Sequence, residues 1–282
     1  QGGDDTVSAL RQELEETNTY LKTLSADITR LENVQSGLKL KLAKRQRQLD
    51  EADAAQQQLE REAGAAESRL RVLREMERSM EGYSGSVKAV MRAASAHRLR
   101  GIIGPVSSLL RVRPGYETAI EIALGAAAQN IVVENEAAAK AAIAFLRDEK
   151  AGRATFLPLD TIRAQTMDAS RLHGSAVVAA TLVQADDRYR SIVQNLLGRI
   201  VVVNDLNEAS GVARSLDFRH RIVTVDGQVI NAGGSYTGGS VARSAGLFTR
   251  RQEIDELKQR LAAFASRRAA AHDAVQKVKA EV

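Results

Sequence analysis

The sequence predicts an α/β (α+β) globule of two repeated subdomains, inserted between two long helices that pair as an antiparallel coiled coil. Three observations predict it. Both ends carry apolar residues at heptad spacing, all three prolines and the short β-branched runs fall between those ends, and the middle repeats itself. The boundaries read as a first arm over residues 1–81, subdomains over 82–165 and 166–249, and a second arm over 250–282.

The first arm is justified by walking alternate steps of three and four from Val7. The walk lands on Leu10, Leu14, Leu21, Leu24, Ile28, Leu31, Leu38, Leu42, Leu49, Ala52, Leu59, Ala63, Ala66, Leu70, Leu73 and Met80. Thr17, Gln35, Arg45, Gln56 and Glu77 break the apolar pattern without shifting its phase. Spacing of 3.5 residues keeps one seam facing a partner, so a pattern held this long implies a coiled coil of roughly 110 Å at about 1.5 Å per residue. Gly37 and Gly64 weaken the helix locally, each by about 1 kcal/mol relative to alanine.

Residues 82–249 have a different character. Strands are expected around Ile102-Ile103, Ile131-Val132-Val133, Thr155-Phe156-Leu157, Val177-Val178, Val201-Val202-Val203 and Ile222-Val223-Thr224-Val225. Helices are expected over 116–124, 136–149, 189–197 and 206–216. The stretch from Tyr116 to Leu124-Gly125 is echoed by Tyr189 to Leu197-Gly198. Each echo is followed by an apolar strand, a helix and a second strand that ends in aspartate, at Asp160 and Asp226. Two copies of one helix–strand–helix–strand unit follow, joined across the polar stretch 163–171.

The second arm repeats the heptad walk through Ile254, Leu257, Leu261, Phe264, Ala271, Val275, Val278 and Val282, with Arg268 as its one departure. A rod in, a globule, and a rod out imply that the rods run antiparallel below the globule. On that layout Met80 lies near Ile254 and Val282 near Ala52, and residues before about Leu49 have no partner within the chain. The start Gln1-Gly2-Gly3, with no initiator methionine, suggests a piece of a longer protein.

Composition excludes several classes. There is no cysteine, so disulfides, thiolate zinc sites and thiol catalysis are ruled out. No apolar stretch reaches the roughly twenty residues a membrane span needs, and no signal segment opens the chain, which points to the cytoplasm. The histidines His97, His173, His220 and His272 lack metal-ligand spacing and read as solvated or core residues. No GxxxxGK[ST] loop occurs, and Gly233-Gly234 and Gly238-Gly239 do not open a helix after a strand as a dinucleotide-binding turn does. No catalytic residue, metal ligand or cofactor is expected.

At this point the motifs carry a resemblance. They run Gly82-Tyr83, Gly101-Ile102-Ile103-Gly104, Gly115-Tyr116-Glu117, Ala123-Leu124-Gly125 and Gln129-Asn130-Ile131-Val132-Val133-Glu134. Gly152-Arg153-Ala154-Thr155-Phe156-Leu157-Pro158-Leu159-Asp160 and Asn231-Ala232-Gly233-Gly234-Ser235-Tyr236-Thr237-Gly238-Gly239-Ser240 complete the series. Each motif alone is weak, but their ordered succession between two heptad rods resembles the hinge of structural-maintenance-of-chromosomes (SMC) proteins, the bacterial members above all. Alanine at position 232, where that family usually has proline, and a glycine-poor Ser84-Gly85-Ser86 depart from the pattern.

The resemblance implies two similar subdomains, a homodimer formed with a second hinge, and ATPase heads outside this stretch, where other complex subunits would bind. It also implies a nucleoid-associated role in chromosome condensation and segregation. By itself the glycine-rich run reads as a flexible loop, whereas the resemblance makes Gly233, Gly234, Gly238 and Gly239 the hinge–hinge contact, since glycine admits close backbone approach.

Charge points to DNA as a further partner. Basic and acidic residues balance in the arms, so the whole surplus of +5 sits in the globule. From Gly82 to Tyr116, and again from Gly227 to Gln252, there are arginines and lysines but no acid. These segments flank the junctions with the arms, which predicts a DNA-phosphate surface of Lys88, Arg92, Arg98, Arg100, Arg243, Arg250 and Arg251. No aromatic series or recognition helix suggests base readout. The expected function is SMC dimerisation with sequence-independent DNA contact. The rivals are a coiled-coil scaffold with an inserted interaction module and no DNA role, and a nucleotide-dependent enzyme.

Overall fold

The structure, a computed structural model, describes residues 2–240 and 246–280. The chain divides into two compact bodies, one of Gln1–Glu67 with Arg260–Val282 and one of Ser68–Gln259. Two helices, α1 (Gly2–Arg78) and α8 (Leu247–Ala280), contribute to both.

In the first body the seam of α8 is buried where the heptad puts it, at Phe264 and Val275, with Arg268 exposed. The Phe264 ring is flanked by the guanidinium groups of Arg260 and Arg267 at 5.8 and 5.9 Å, which cover its faces with charge that stays hydrated. Ala63 and Ala66 are the buried positions of α1, and half-burial extends back to Arg45. From Val7 to Leu42 every seam residue is exposed, as expected for a stretch whose partner is not in this chain. Val282 lies outside the described residues.

The second body holds the globule and the arm segments beside it. Leu70, Leu73, Ile254 and Leu257 are buried. Arg69 reaches Glu253 at 2.7 Å, and Arg250 reaches the Glu81 carbonyl at 2.8 Å. Rising numbers on one side thus meet falling numbers on the other, so the helices run antiparallel. One expectation changes at the top of α1. Met76 is half-buried and Glu77 exposed, so the seam shifts by one residue. Met80, past the end of the helix, packs against the first subdomain's core, while its neighbour Glu81 meets Arg250, one turn before Ile254.

Between the arms the order is α2 (Gly85–Ser95), β1 (Ile102–Pro105), α3 (Val106–Leu109), β2 (Arg111–Val112), α4 (Glu117–Leu124), β3 (Ile131–Val133), α5 (Glu136–Asp148) and β4 (Phe156–Pro158). The second subdomain continues with β5 (Val177–Val178), β6 (Val183–Gln184), α6 (Arg190–Leu197), β7 (Ile200–Val203), α7 (Leu206–Ser215), β8 (Arg221–Thr224), β9 (Val229–Ile230) and β10 (Tyr236–Thr237). Sheet order β1-β3-β4 is reproduced by β5-β7-β8, each with an antiparallel and then a parallel pairing. The second sheet adds β9 and β10. The N-terminal ends of three helices are set locally: Ser84, Asn135 and Asp205 cap α2, α5 and α7 through their side chains.

Alternation along the central strands sorts the core. Val132 and Val202 join one cluster with Ile120, Leu124, Ile192 and Leu197, shared by both subdomains. Ile131 and Val133 face a second cluster with α2 and α5, while Val201 and Val203 face a third with α7. Period-two side chains on all-buried strands make this layering unavoidable.

The repeat also builds its own joint. Strands β2 and β6 pair with each other, Arg111 opposite Gln184 and Val112 opposite Val183. That reciprocal register is what a local two-fold between equivalent strands requires. Across the same boundary Arg221 of β8 donates to the Ala123 carbonyl at the end of α4, 3.3 Å away. A cation there also meets the negative end of the helix dipole.

Candidate dimer surface, basic surface and arm junction

The four glycines lie on either side of β10, the outer strand of the five-stranded sheet, whose two residues are both exposed. Among the described residues strand β10 pairs with β9 alone, so there its other edge presents backbone groups without a strand partner. The glycines are not equivalent. Gly233 (φ 89°) and Gly239 (φ 136°) face open space. A Cβ on Gly234 (φ 91°) would lie 3.5 Å from the Phe218 ring, and Gly233 donates to the Phe218 carbonyl at 2.8 Å. A Cβ at Gly238 would collide with the Gln228 carboxamide, which bonds Gly239 through both its donor and its acceptor, at 3.2 and 2.9 Å. Gly234 and Gly238 therefore meet requirements within the subdomain, and Gly233 and Gly239 are the pair left facing outward.

The basic residues divide similarly. Lys88 and Arg92 sit one turn apart on α2, Arg92 exposed and Lys88 half-buried, and Arg100 is exposed just before β1. None of these three has an ion pair among the described residues. Arg98 is exposed but engaged, 2.6 Å from Glu149 and 5.2 Å over the Phe145 ring. Arg251 donates to the Ser108 carbonyl at 2.7 Å. Arg250 is only 8 % exposed; its Nη1 holds the Glu81 carbonyl and its Nε has no partner among the described residues. Its head is thus committed to the fold. Arg243 lies outside the described residues. Exposed Arg153 was not singled out from sequence; its carbonyl accepts from Ser86 at 2.7 Å, which brings its loop to the start of α2.

The arm junction was invisible in the sequence. The two carboxylate oxygens of Glu121, on α4, accept from the N–H groups of Leu247 and Phe248 at 3.0 and 2.9 Å. A side chain from the globule thus caps the first turn of the outgoing arm, whose N–H groups have no partner within the helix. A Cβ on Gly246 would lie 2.8 Å from Glu121 Oε2, so glycine keeps the cap open. On the incoming side, Gln129 accepts from Ser84 N at 2.8 Å and donates to the Gly82 carbonyl at 3.1 Å. The Tyr83 hydroxyl meets Ser107 at 2.7 Å; burial pushes its phenol pKa up, opposed by that hydrogen bond. The only available signal for Glu121 was an acid past the first turn of an otherwise apolar helix.

Among the described residues no group of three or more His, Asp or Glu side chains could hold a metal, and no helix is long and apolar enough to cross a membrane. Residues 99–213 match the family of flexible hinge domains of SMC proteins. The chain is 39 % identical over 249 residues to the chromosome partition protein Smc of Bacillus subtilis, covering 86 % of this chain and 21 % of that one. Its identity to the same-named protein of Desulfitobacterium hafniense is 39 % over 210 residues, covering 72 % and 18 %. The chain therefore spans about a fifth of these relatives' length. Among solved structures it is similar to the asymmetric dimer of the Geobacillus stearothermophilus SMC hinge domain, with 36 % identity and a TM-score of 0.74, covering 85 % of this chain and 98 % of that one.

Proposed function

Since the chain belongs to the SMC proteins, as their flexible hinge domain with adjoining coiled-coil arms, we propose that it joins two such molecules and touches DNA without reading its sequence. The observation that carries the pairing is the open β10 edge, framed by the outward-facing Gly233 and Gly239. An unpaired strand edge with no bulky neighbour is a template for a second chain. The Geobacillus hinge, which this chain resembles over nearly its whole length, is itself a dimer.

DNA contact rests on Lys88, Arg92 and Arg100, with Arg98 and Arg251 beside them and Arg153 added. The parent molecule then works in the cytoplasm on the nucleoid, in chromosome condensation and segregation, with ATPase heads and their partner subunits at the far ends of the arms.

Two measurements test the reading. Tyr236→Lys with Thr237→Lys places charge on the β10 edge, and light scattering should then give a monomer mass with the unfolding temperature retained. A dimer mass would move the pairing surface elsewhere. For DNA, Lys88→Gln, Arg92→Gln and Arg100→Gln together should flatten the log–log salt dependence of duplex binding by about 2 to 3, at roughly 0.9 per phosphate contact. An unchanged slope leaves the scaffold reading without a DNA role.

A further inference from the structure

We infer that the second subdomain carries a separate phosphate-binding surface, made by Arg163, Arg199, Arg219 and His220, whose ligand is the sugar–phosphate backbone of DNA. This rests on the reading of the chain as a DNA-contacting hinge, but it concerns residues outside the junction segments.

The internal repeat locates the surface. The parallel pair Ile131–Phe156 of the first subdomain corresponds to Val201–Ile222 of the second. Counting back from these pairs aligns Gln129 with Arg199, Arg153 with Arg219 and Ala154 with His220. In the first subdomain this end of the strand pair is used to attach the incoming arm. Gln129 holds Ser84 and Gly82, and the Arg153 carbonyl holds Ser86. In the second subdomain no hydrogen bond from an arm reaches this end among the described residues, and the same end carries arginines.

Backbone contacts bring those residues together. The His220 ring nitrogen Nδ1 lies 3.3 Å from the Arg199 carbonyl. The connecting segment folds across the same end: Met167 N donates to the Gly198 carbonyl at 3.1 Å, and Asn195 donates to the Arg163 carbonyl at 2.7 Å. Arg163, Arg199 and Arg219 are exposed and His220 is half-exposed. Their only side-chain partner among the described residues is Gln165, which is 3.4 Å from Arg199 and uncharged.

Acids close in sequence to these residues have other partners. Asp160 accepts from Glu136 N, Asp168 from Ser170, and Asp205 caps α7, while Asp217 faces Arg171 at 3.8 Å. Among the described residues Arg163, Arg199 and Arg219 form no ion pair, so their guanidinium donors stay available to an anion. Guanidinium groups in this setting suit phosphate oxygens, which they bind through paired N–H donors. Because the contacts are electrostatic, they add to the salt slope rather than to sequence preference.

The test compares three variants of this chain by fluorescence anisotropy with one 30-base-pair duplex across a salt series. Arg163→Gln/Arg199→Gln/Arg219→Gln should weaken binding at about 50 mM salt by roughly tenfold or more and flatten the slope by about 2 to 3. The control, Lys39→Gln/Lys41→Gln/Arg47→Gln on exposed positions of α1, should change neither. If only the junction variant Lys88→Gln/Arg92→Gln/Arg100→Gln flattens the slope, this surface is not a phosphate site and the DNA reading survives. If the parent chain does not bind the duplex, both fail. A polyglutamate competitor as effective as duplex DNA at equal charge would also overturn the assignment, since the ligand would then be any polyanion.

Discussion

Met80, His97, Lys150 and Asp217 each adopt the left-handed backbone region, at φ values of 53°, 57°, 51° and 52°, just past the end of a helix. In every case the next residue's N–H returns to the carbonyl five residues back, as Ala151 does to Leu146 at 2.9 Å. Glycine normally takes this position because a Cβ there is strained. Met80 recovers something by packing on the first subdomain's core, but Lys150 is exposed. Lys150→Gly should therefore raise stability by about 0.5–1 kcal/mol, read from the urea midpoint. Glu121→Ala should cost about 1–2 kcal/mol and accelerate amide exchange at Leu247 and Phe248. The Arg69–Glu253 pair adds a pH dependence. Hydrogen bonding to Arg69 holds the Glu253 carboxyl below its usual range, so its contribution is present at neutral pH and disappears as pH falls through that lowered value. Both groups are more than a third exposed at the side chain or close to it (46 % and 34 %), so Glu253→Gln should cost under about 1 kcal/mol at neutral pH. The difference from the parent should close in acid. Arg250→Ala, by contrast, should destabilise the fold without altering the DNA salt slope, because its head is buried among backbone carbonyls.

Elements differ in how far local sequence determines them. The two arms and the strands β3, β4, β7 and β8 were legible because a heptad and an all-apolar β-branched run each admit one reading. Helix α2 was not: Val87, Val90 and Ala93 form its buried stripe, but among small residues and two cations that stripe is too short to mark a helix. Strands β2 and β6 were missed since each has two residues and pairs only across the local two-fold. The glycines around β10 were legible as a group, yet their separate duties depend on Phe218 and Gln228, which no local pattern links to them. Helix α1 makes the sharpest prediction at this scale. Its seam is exposed from Val7 to Leu42 and covered from Ala63 to Leu73, and a long helix without a packed face is only marginally stable. Amides of residues 10–40 should exchange orders of magnitude faster than those of 63–73, and an added helix bearing the complementary heptads should slow them.

At the scale of the whole molecule, pairing and DNA contact are linked by arithmetic. A dimer offers two copies of each basic surface to one duplex, so its second contact is effectively intramolecular. The variant with lysines at positions 236 and 237 should bind long duplex DNA with about half the parent's salt slope, while a duplex too short to reach both copies should not distinguish the two proteins. A shared slope on long DNA would mean that only one protomer engages. The repeat also accounts for what the whole-molecule pattern revealed early and what it hid. Two copies of one unit announced two subdomains, but the use of equivalent ends, one to receive an arm and one lined with arginines, appears only when the copies are overlaid in register.

The bond between Arg69 and Glu253 joins residues 184 positions apart. Closing a flexible loop of that length costs roughly 4–5 kcal/mol in chain entropy, more than a surface ion pair and its neighbouring leucines recover at the first encounter. The arms are therefore expected to zip after the globule. Their ends come together only once the intervening globule has condensed and delivered both to the same place, so assembly proceeds from the tip downwards. In pulse-labelled refolding, amides of β7 and β8 should gain protection before those of α8 beyond Leu257. A chain whose α8 became protected first would have to nucleate in the rods, with the globule forming afterwards as a tethered loop.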